Sequence, residues 1–452
     1  MKKILHELLS PSGNQFLISL LMTFVCFTGC RKEPAFHGDN PASQYPADVI
    51  DKWMTLEVRI YKNATGLANG AFARPFAYSG ISAFEATDPG QASWKNKYNG
   101  LASLPQTEIF RKYYWPASVN ASLAEFNRSF FTSANVNATD LAAIDSLENA
   151  IESSFSSADP DVLTRSQSFG KSIADAVFAW SKTDGFAQNN ALPYTLPMGP
   201  GIWIPTPTAF APPSGPFWEN NRPIIAGSGD NSQPVPPVSY SEDKNSAFYK
   251  MVNDVYKASK VLTTDQKNWA LFWRDVPGVT TPGHWMNITR QVIHQTHSPL
   301  DKAAMAYAMV GICLNDAIMS VWETKYKYIL IRPVSYIRKV IGDTAWLPAI
   351  PTPAHPEYAS AHAVISASAS EALFFIYGNI GPFMDHTYDY LGFPARTFNS
   401  FRDIGVDAGN SRFYGGIHYQ PTVDAGIKQG RIVGGNIVTT LRQSSDPVKK
   451  SY

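Results

Sequence analysis

Between residues 303 and 321 the chain is apolar on nearly every face of a helix. Such a helix has no polar stripe to offer to water, so it should lie buried inside a larger helical body. No strong alternating strand pattern runs anywhere in the chain, whereas helical spacing recurs. Leu141, Ile144, Leu147, Ile151 and Phe155 follow the capping pair Thr139-Asp140 on one helix face. Phe169, Ile173, Val177 and Trp180 repeat the signal over 166–180. Thr264-Asp265 opens a further helix through Trp269, Leu271 and Trp273, and 364–375 and 423–441 are two more. The expected fold class is all-α.

Between about 187 and 240 the pattern breaks. Leu196-Pro197-Met198-Gly199-Pro200-Gly201 and Pro234-Val235-Pro236-Pro237 cannot continue a helix. This stretch reads as a long connection between a helical half over 47–240, which it completes, and a second over 241–452. A loop of such length is unusual unless functional. Its Trp203, Phe210, Phe217 and Trp218 either roof a substrate channel or simply cover the bundle.

The 452 residues suffice for one large or two medium domains. A formal net charge of +1 with no dense Lys/Arg run excludes the basic footprint of a nucleic-acid binder. At the N-terminus, Lys2 and Lys3 precede an apolar run over 16–27 that ends in Phe27-Thr28-Gly29-Cys30. That ending resembles a bacterial lipobox. The expectation is a lipoprotein signal over 1–30, a flexible tether over 31–46, and export to the bacterial cell envelope with membrane contact only through a lipid on Cys30. A transmembrane anchor is the competing reading, but the run falls below the ~20 residues needed to span a bilayer; a signal without lipid is the other. Of three cysteines only Cys313 belongs to the mature fold, on an apolar helical pattern that marks it as inert core.

Three clusters in the C-terminal half carry chemistry. The first runs from Lys325 to Arg332-Pro333, the second is Pro356-Glu357-Tyr358-Ala359-Ser360-Ala361-His362, and the third runs from Ser411-Arg412 through Gly415-Gly416 to His418. Each alone is weak. Together they supply three cations, two imidazoles, a hydroxyl and a helix N-terminus, the set that a tetrahedral oxyanion requires. Arg332 and Arg412 offer planar forks to pairs of oxygens, and Lys325 a point charge. Ser360 precedes a helix starting near His362, so its hydroxyl and the following amides can point at the anion. His362 and His418 then flank it, one as proton donor and one as ligand or nucleophile. Pro333 biases Arg332 towards an extended exit.

These clusters resemble the signature of the vanadium-dependent haloperoxidase and type 2 phosphatidic acid phosphatase superfamily: Lys-x6-Arg-Pro, Pro-Ser-Gly-His and Ser-Arg-x5-His, in that order. The first and third match without gaps. The resemblance implies two packed helical bundles with the site in the C-terminal one. It implies that Lys325, Arg332, Ser360, Arg412 and the Ala361 amide hold vanadate, that His418 is the vanadium ligand, that His362 is the acid–base residue, and that Lys325 also polarises the oxidant. The middle motif departs, since Ala359 stands for proline and Ala361 for glycine. The amide donor survives; what is in question is close backbone approach or a positive φ.

In that likeness the activity is oxidation of halide by hydrogen peroxide to a hypohalous equivalent, with a small organic acceptor as a further partner. The alternative is an acid phosphatase in which His418 attacks phosphorus and His362 protonates the leaving oxygen. A third reading is a surface protein on a degenerate scaffold. His355, five residues before Ser360, occupies a position where some haloperoxidases carry an extra histidine near the site. Trp322 shares a helix face with Lys325 if the helix continues. Asp316 either orients a cation or faces solvent. His284, His294 and His297 invite a metal reading, but no HExxH motif supports it and second-sphere or surface roles are expected. Large apolar helices also make self-association an expectation.

Overall fold

The computed structural model describes residues 40–65, 71, 73–87, 94–275 and 279–445. The leader expected over 1–30 and most of the tether lie outside these residues. The tether's last residues are already part of the folded body: Ala42 is fully buried and the Leu300 amide donates to the Tyr45 carbonyl at 2.8 Å.

The architecture is all-α, in two packed bundles. The N-terminal bundle holds α1 (Asp48–Asn63), α2 (Ala73–Glu85), α3 (Trp115–Phe130), α4 (Ala138–Ser153) and α5 (Pro160–Ser181). The second holds α6 (Ala247–Lys260), α7 (Thr264–Phe272), α8 (Thr281–Gln295), α9 (Leu300–Tyr328), α10 (Ala361–Tyr377), α11 (Phe401–Tyr414) and α12 (Gln420–Ser445). A small antiparallel hairpin, β1 (Phe383–Asp385) with β2 (Arg396–Phe398), sets Met384 opposite Thr397. The caps explain where helices begin. Asn137 caps α4 by accepting from the Asp140 amide, and Asp159 caps α5 with Pro160 in its first position. A capping box joins Thr263 and Gln266 at α7.

Helix α9 organises the molecule. Every residue from Tyr307 to Trp322 is buried, as its all-round apolar sequence requires. Over its 29 residues it runs roughly 43 Å at 1.5 Å per residue. It packs on α2 in one bundle and on α10 and α12 in the other. Its contact with α2 ties the two halves together, and the described residues fall in one compact unit. Cys313 is buried and free on this helix, as expected of inert core.

The long connection is stapled to α9. The Asp316 carboxylate accepts from the Ile224 amide at 2.9 Å and the Ile225 amide at 3.0 Å. Asp316 thus neither orients a cation nor faces solvent; it satisfies loop backbone that burial would otherwise leave unpaired. The Trp203 amide donates to Ile329 and the Ile331 amide to Gly201, so the loop also brackets the exit of α9.

Candidate active site

Lys325 sits in the last turn of α9, which ends at Ile329 in the left-handed region at φ 46°. That conformation is rare for a β-branched residue, and it turns the chain so that Arg332 leaves extended at φ −76°, ψ 153°. Ser360 is the N-cap of α10, with Ala361 and His362 in its first turn. Arg412 closes α11, and His418 lies between α11 and α12 after a turn at Gly416, φ +76°. A Cβ at Gly416 would also stand 3.2 Å from the Pro348 backbone, so a side chain would crowd the turn. Ala361 is the first residue of a regular helix and is not among the positive-φ residues. Alanine in place of glycine therefore does not strain the motif.

The structure brings the three clusters together. Lys325 Nζ donates to the carbonyls of Pro356 (2.8 Å), Glu357 (3.2 Å) and Ala359 (2.6 Å). Arg332 donates through Nε to the His355 carbonyl (3.0 Å), through Nη1 to the Ile417 carbonyl (2.8 Å) and His418 Nε2 (3.1 Å), and through Nη2 to His355 Nδ1 (3.1 Å). Arg412 Nη1 donates to the Trp273 carbonyl at 2.9 Å. His362 Nε2 is 2.8 Å from the Thr281 hydroxyl and 3.7 Å from Asp275 Oδ1. The Thr281 hydroxyl is in turn 3.0 Å from the same carboxylate oxygen.

Burial governs the charges. It pushes Lys325 well below the usual lysine range, with Arg332 adding to the effect and Glu357 opposing it. It lowers Arg332 and Arg412 to about 10 each. His362 falls to about 3 through burial and Arg412, against the pull of Asp275. Burial, then Arg332 and Lys325, keeps His418 neutral; burial, then Lys325 and Arg332, does the same for His355. Burial raises the Glu357 carboxyl to about 7, partly countered by Thr422, Arg332 and Lys325. Burial likewise pushes Asp275 up, but His362, Arg412 and Thr281 together hold it below the usual carboxylate range. Three depressed cations against two carboxylates mark a site short of negative charge.

Among the described residues of this site, two buried donors have no partner: Ser360 Oγ and Arg412 Nε. Native structures rarely leave such atoms unpaired. With the Ala361 amide, one of the free N–H groups at the start of α10, they form a donor set that fits a tetrahedral oxyanion. The cavity above this floor holds about 190 Å³ and is lined by Ala361, His362 and His418 together with Asp275, Thr281, Pro282, Trp322, His355, Ile365 and Ile417. Trp322 and His355 both line it, with ring centroids 5.0 Å apart.

The aromatic residues of the long connection and the upstream histidines lie away from the cavity. Of the long connection, Ser214 lines the cavity, while Trp203, Phe210, Phe217 and Trp218 do not. Trp203 is buried elsewhere, Phe210 is exposed, and Trp218 backs Trp322 at 5.9 Å. His284 is buried against Asp385 at 2.7 Å and stacked on Trp273, whereas His294 pairs with Asp51 on the surface. No metal-holding cluster of His, Cys, Asp or Glu occurs among the described residues. Sequence reasoning missed Asp275, Thr281, Ser214 and the role of Glu357. Only Glu357 carried a signal, as the one carboxylate in the three clusters.

Residues 305–447 match the family model of the VCPO second helical-bundle domain. Over 90% of this chain and 98% of the other, the structure is similar to the first bacterial vanadium-dependent iodoperoxidase, with a TM-score of 0.80 and 29% identity. Holo and apo forms of a bacterial vanadium-dependent chloroperoxidase share the fold at TM-score 0.61, with 14% and 12% identity over 83% of this chain and 92% and 95% of theirs. No curated protein matches.

Proposed function

From the membership of this chain in the vanadium haloperoxidase and phosphatidic acid phosphatase type 2 superfamily, we propose that it is a vanadate-dependent haloperoxidase oxidising halide with hydrogen peroxide. The observation that carries the reading is the anion-deficient floor, with Ser360 Oγ and Arg412 Nε buried and unpartnered beside two neutral imidazoles. Lys325, Arg332 and Arg412 would neutralise vanadate, Ser360 and the Ala361 amide would donate to it, and His418 Nε2 would be its protein ligand. Bound there, vanadate would supply Lewis-acid activation of peroxide without changing oxidation state.

The protein's own part is positioning and proton transfer. Arg332 can only donate, so His418 Nε2 is an acceptor and carries a lone pair towards the site. His362 is neutral near pH 7 and can take up a proton and return it. The Asp275 carboxylate, 3.7 Å from the ring and accepting from the Thr281 hydroxyl, stabilises that charge. Trp322, Pro282, Ile365 and Ile417 limit water at the reacting centre.

Similarity over 90% of this chain to a vanadium-dependent iodoperoxidase, at 29% identity, favours this reading over the phosphatase. The 1–30 sequence supports a further part of the proposal, attachment through Cys30 at the cell envelope. The test is halide oxidation by purified, lipid-free protein and peroxide, with and without orthovanadate, alongside a phosphate monoester assay. Vanadate-dependent turnover inhibited by phosphate supports the proposal. Ester hydrolysis inhibited by vanadate, without halide oxidation, moves the protein to the phosphatases.

A further inference from the structure

We propose that Glu357 is the positioning residue for His418, holding its ring in the Nδ1–H tautomer so that Nε2 presents a lone pair to the oxyanion. The inference rests on the reading above only in taking His418 as the contact to the anion.

Three donors converge on one oxygen. Glu357 Oε1 accepts from His418 Nδ1 at 2.7 Å, from the Tyr419 amide at 3.1 Å and from the Thr422 hydroxyl at 2.6 Å. All three lie in the turn that opens α12. The Glu357 backbone ties the same residue to the first cluster, its amide donating to the Leu330 carbonyl at 2.9 Å and its carbonyl accepting from Lys325 Nζ at 3.2 Å. One fully buried residue thus joins the lysine–arginine segment to the histidine turn.

The tautomer is fixed from both sides. Arg332 Nη1, which has only protons to give, faces Nε2 at 3.1 Å. Oε1 faces Nδ1. Protonation of the carboxyl would not reverse this, because Oε2 is the oxygen left without a partner and free to carry the proton. A ring held this way cannot turn its N–H towards the anion. Nor can the ring turn without giving up the Glu357 Oε1 acceptor at Nδ1 and the Arg332 donor at Nε2 together. Hydrogen-bonding partners behind a histidine ligand set its orientation and basicity in this manner.

The staple could serve packing alone, so the test needs a readout that packing does not move. The apo enzyme, labelled with 15N at histidine, gives the His418 tautomer by long-range 1H–15N correlation, with His418→Ala assigning the signal. The expected result is Nδ1–H in wild type and in Glu357→Gln, whose carbonyl oxygen still accepts. Glu357→Met, similar in shape but without an acceptor, should lose the single tautomer. Its affinity for orthovanadate should fall about 10–100-fold, while inorganic phosphate, held by the cations and amides without a bond to Nε2, should change little. Glu357→Gln should keep most of the vanadate affinity. An Nε2–H tautomer in wild type overturns the proposal, as does a folded Glu357→Met protein with an unchanged ratio of vanadate to phosphate affinity. If Glu357→Met does not fold, the tautomers of wild type and Glu357→Gln decide. A wild type that shows Nδ1–H and binds vanadate but oxidises no halide defeats the haloperoxidase reading and leaves the role of Glu357 standing.

Discussion

Gly430→Ala, set beside Gly435→Ala on the same helix, tests how the site helix α10 is held. A Cβ at Gly430 would stand 2.1 Å from the Val364 carbonyl oxygen and 2.9 Å from Ala367 Cβ. Carbon–oxygen contacts settle at about 3.3–3.6 Å, so α12 would have to withdraw from α10 by roughly 1 Å. The obstacle is backbone inside a helix and cannot rotate aside. Overpacking of this kind costs about 1–3 kcal/mol, here taken at the upper end. Alanine's better helix propensity returns about 1 kcal/mol, leaving a net loss of about 2 kcal/mol. At Gly435 a Cβ meets nothing within 4 Å, so that variant should gain up to about 1 kcal/mol. Urea unfolding midpoints, compared at constant m, measure both. Because α10 begins at the anion floor, Gly430→Ala should also weaken phosphate binding while Gly435→Ala leaves it unchanged. Equal stability of the two variants would refute the backbone-contact reasoning.

His418→Ala should abolish vanadate binding with the circular dichroism of the fold intact; unchanged turnover would remove His418 from the site. His362→Ala should keep anion binding, measured by calorimetry, while turnover drops about 10²–10⁴-fold; loss of binding alone would count against an acid–base role. Burial and Arg412 hold His362 down to about 3, whereas an unfolded histidine titrates near about 6.5. Within that window the unfolded chain binds a proton that the folded chain refuses, so stability falls as pH drops. The stability advantage of wild type over His362→Gln should therefore shrink between neutral pH and pH ~4; a difference independent of pH would contradict the depressed value. Asp316→Ala strands the amides of Ile224 and Ile225, at about 1–3 kcal/mol for each, and hydrogen exchange should rise first at those two amides.

Much of this molecule is legible along the chain because the physics involved is local. An all-round apolar stretch has one stable home, and α9 occupies it. The spacings from Lys325 to Arg332 and from Arg412 to His418 lie within single helix ends and turns, where backbone geometry alone decides which way a side chain leaves. The helices α1, α2, α3, α6 and α8 were less legible. The apolar faces of α1 and α3 are interrupted by the buried polar residues Glu57, Asn120 and Asn127, which find partners across the bundle.

What the tertiary structure decided is how the charges are compensated. His418 meets Glu357, and His362 meets Thr281 and Asp275, across separations of 61 and more residues that no periodicity encodes. The reach of the long connection was also settled there, with Ser214 and not its tryptophans at the cavity. Sequence determined which groups can bind an oxyanion. Packing determined that they are buried together with too little negative charge, and burial is what makes a cluster of cations and neutral imidazoles seek an anion.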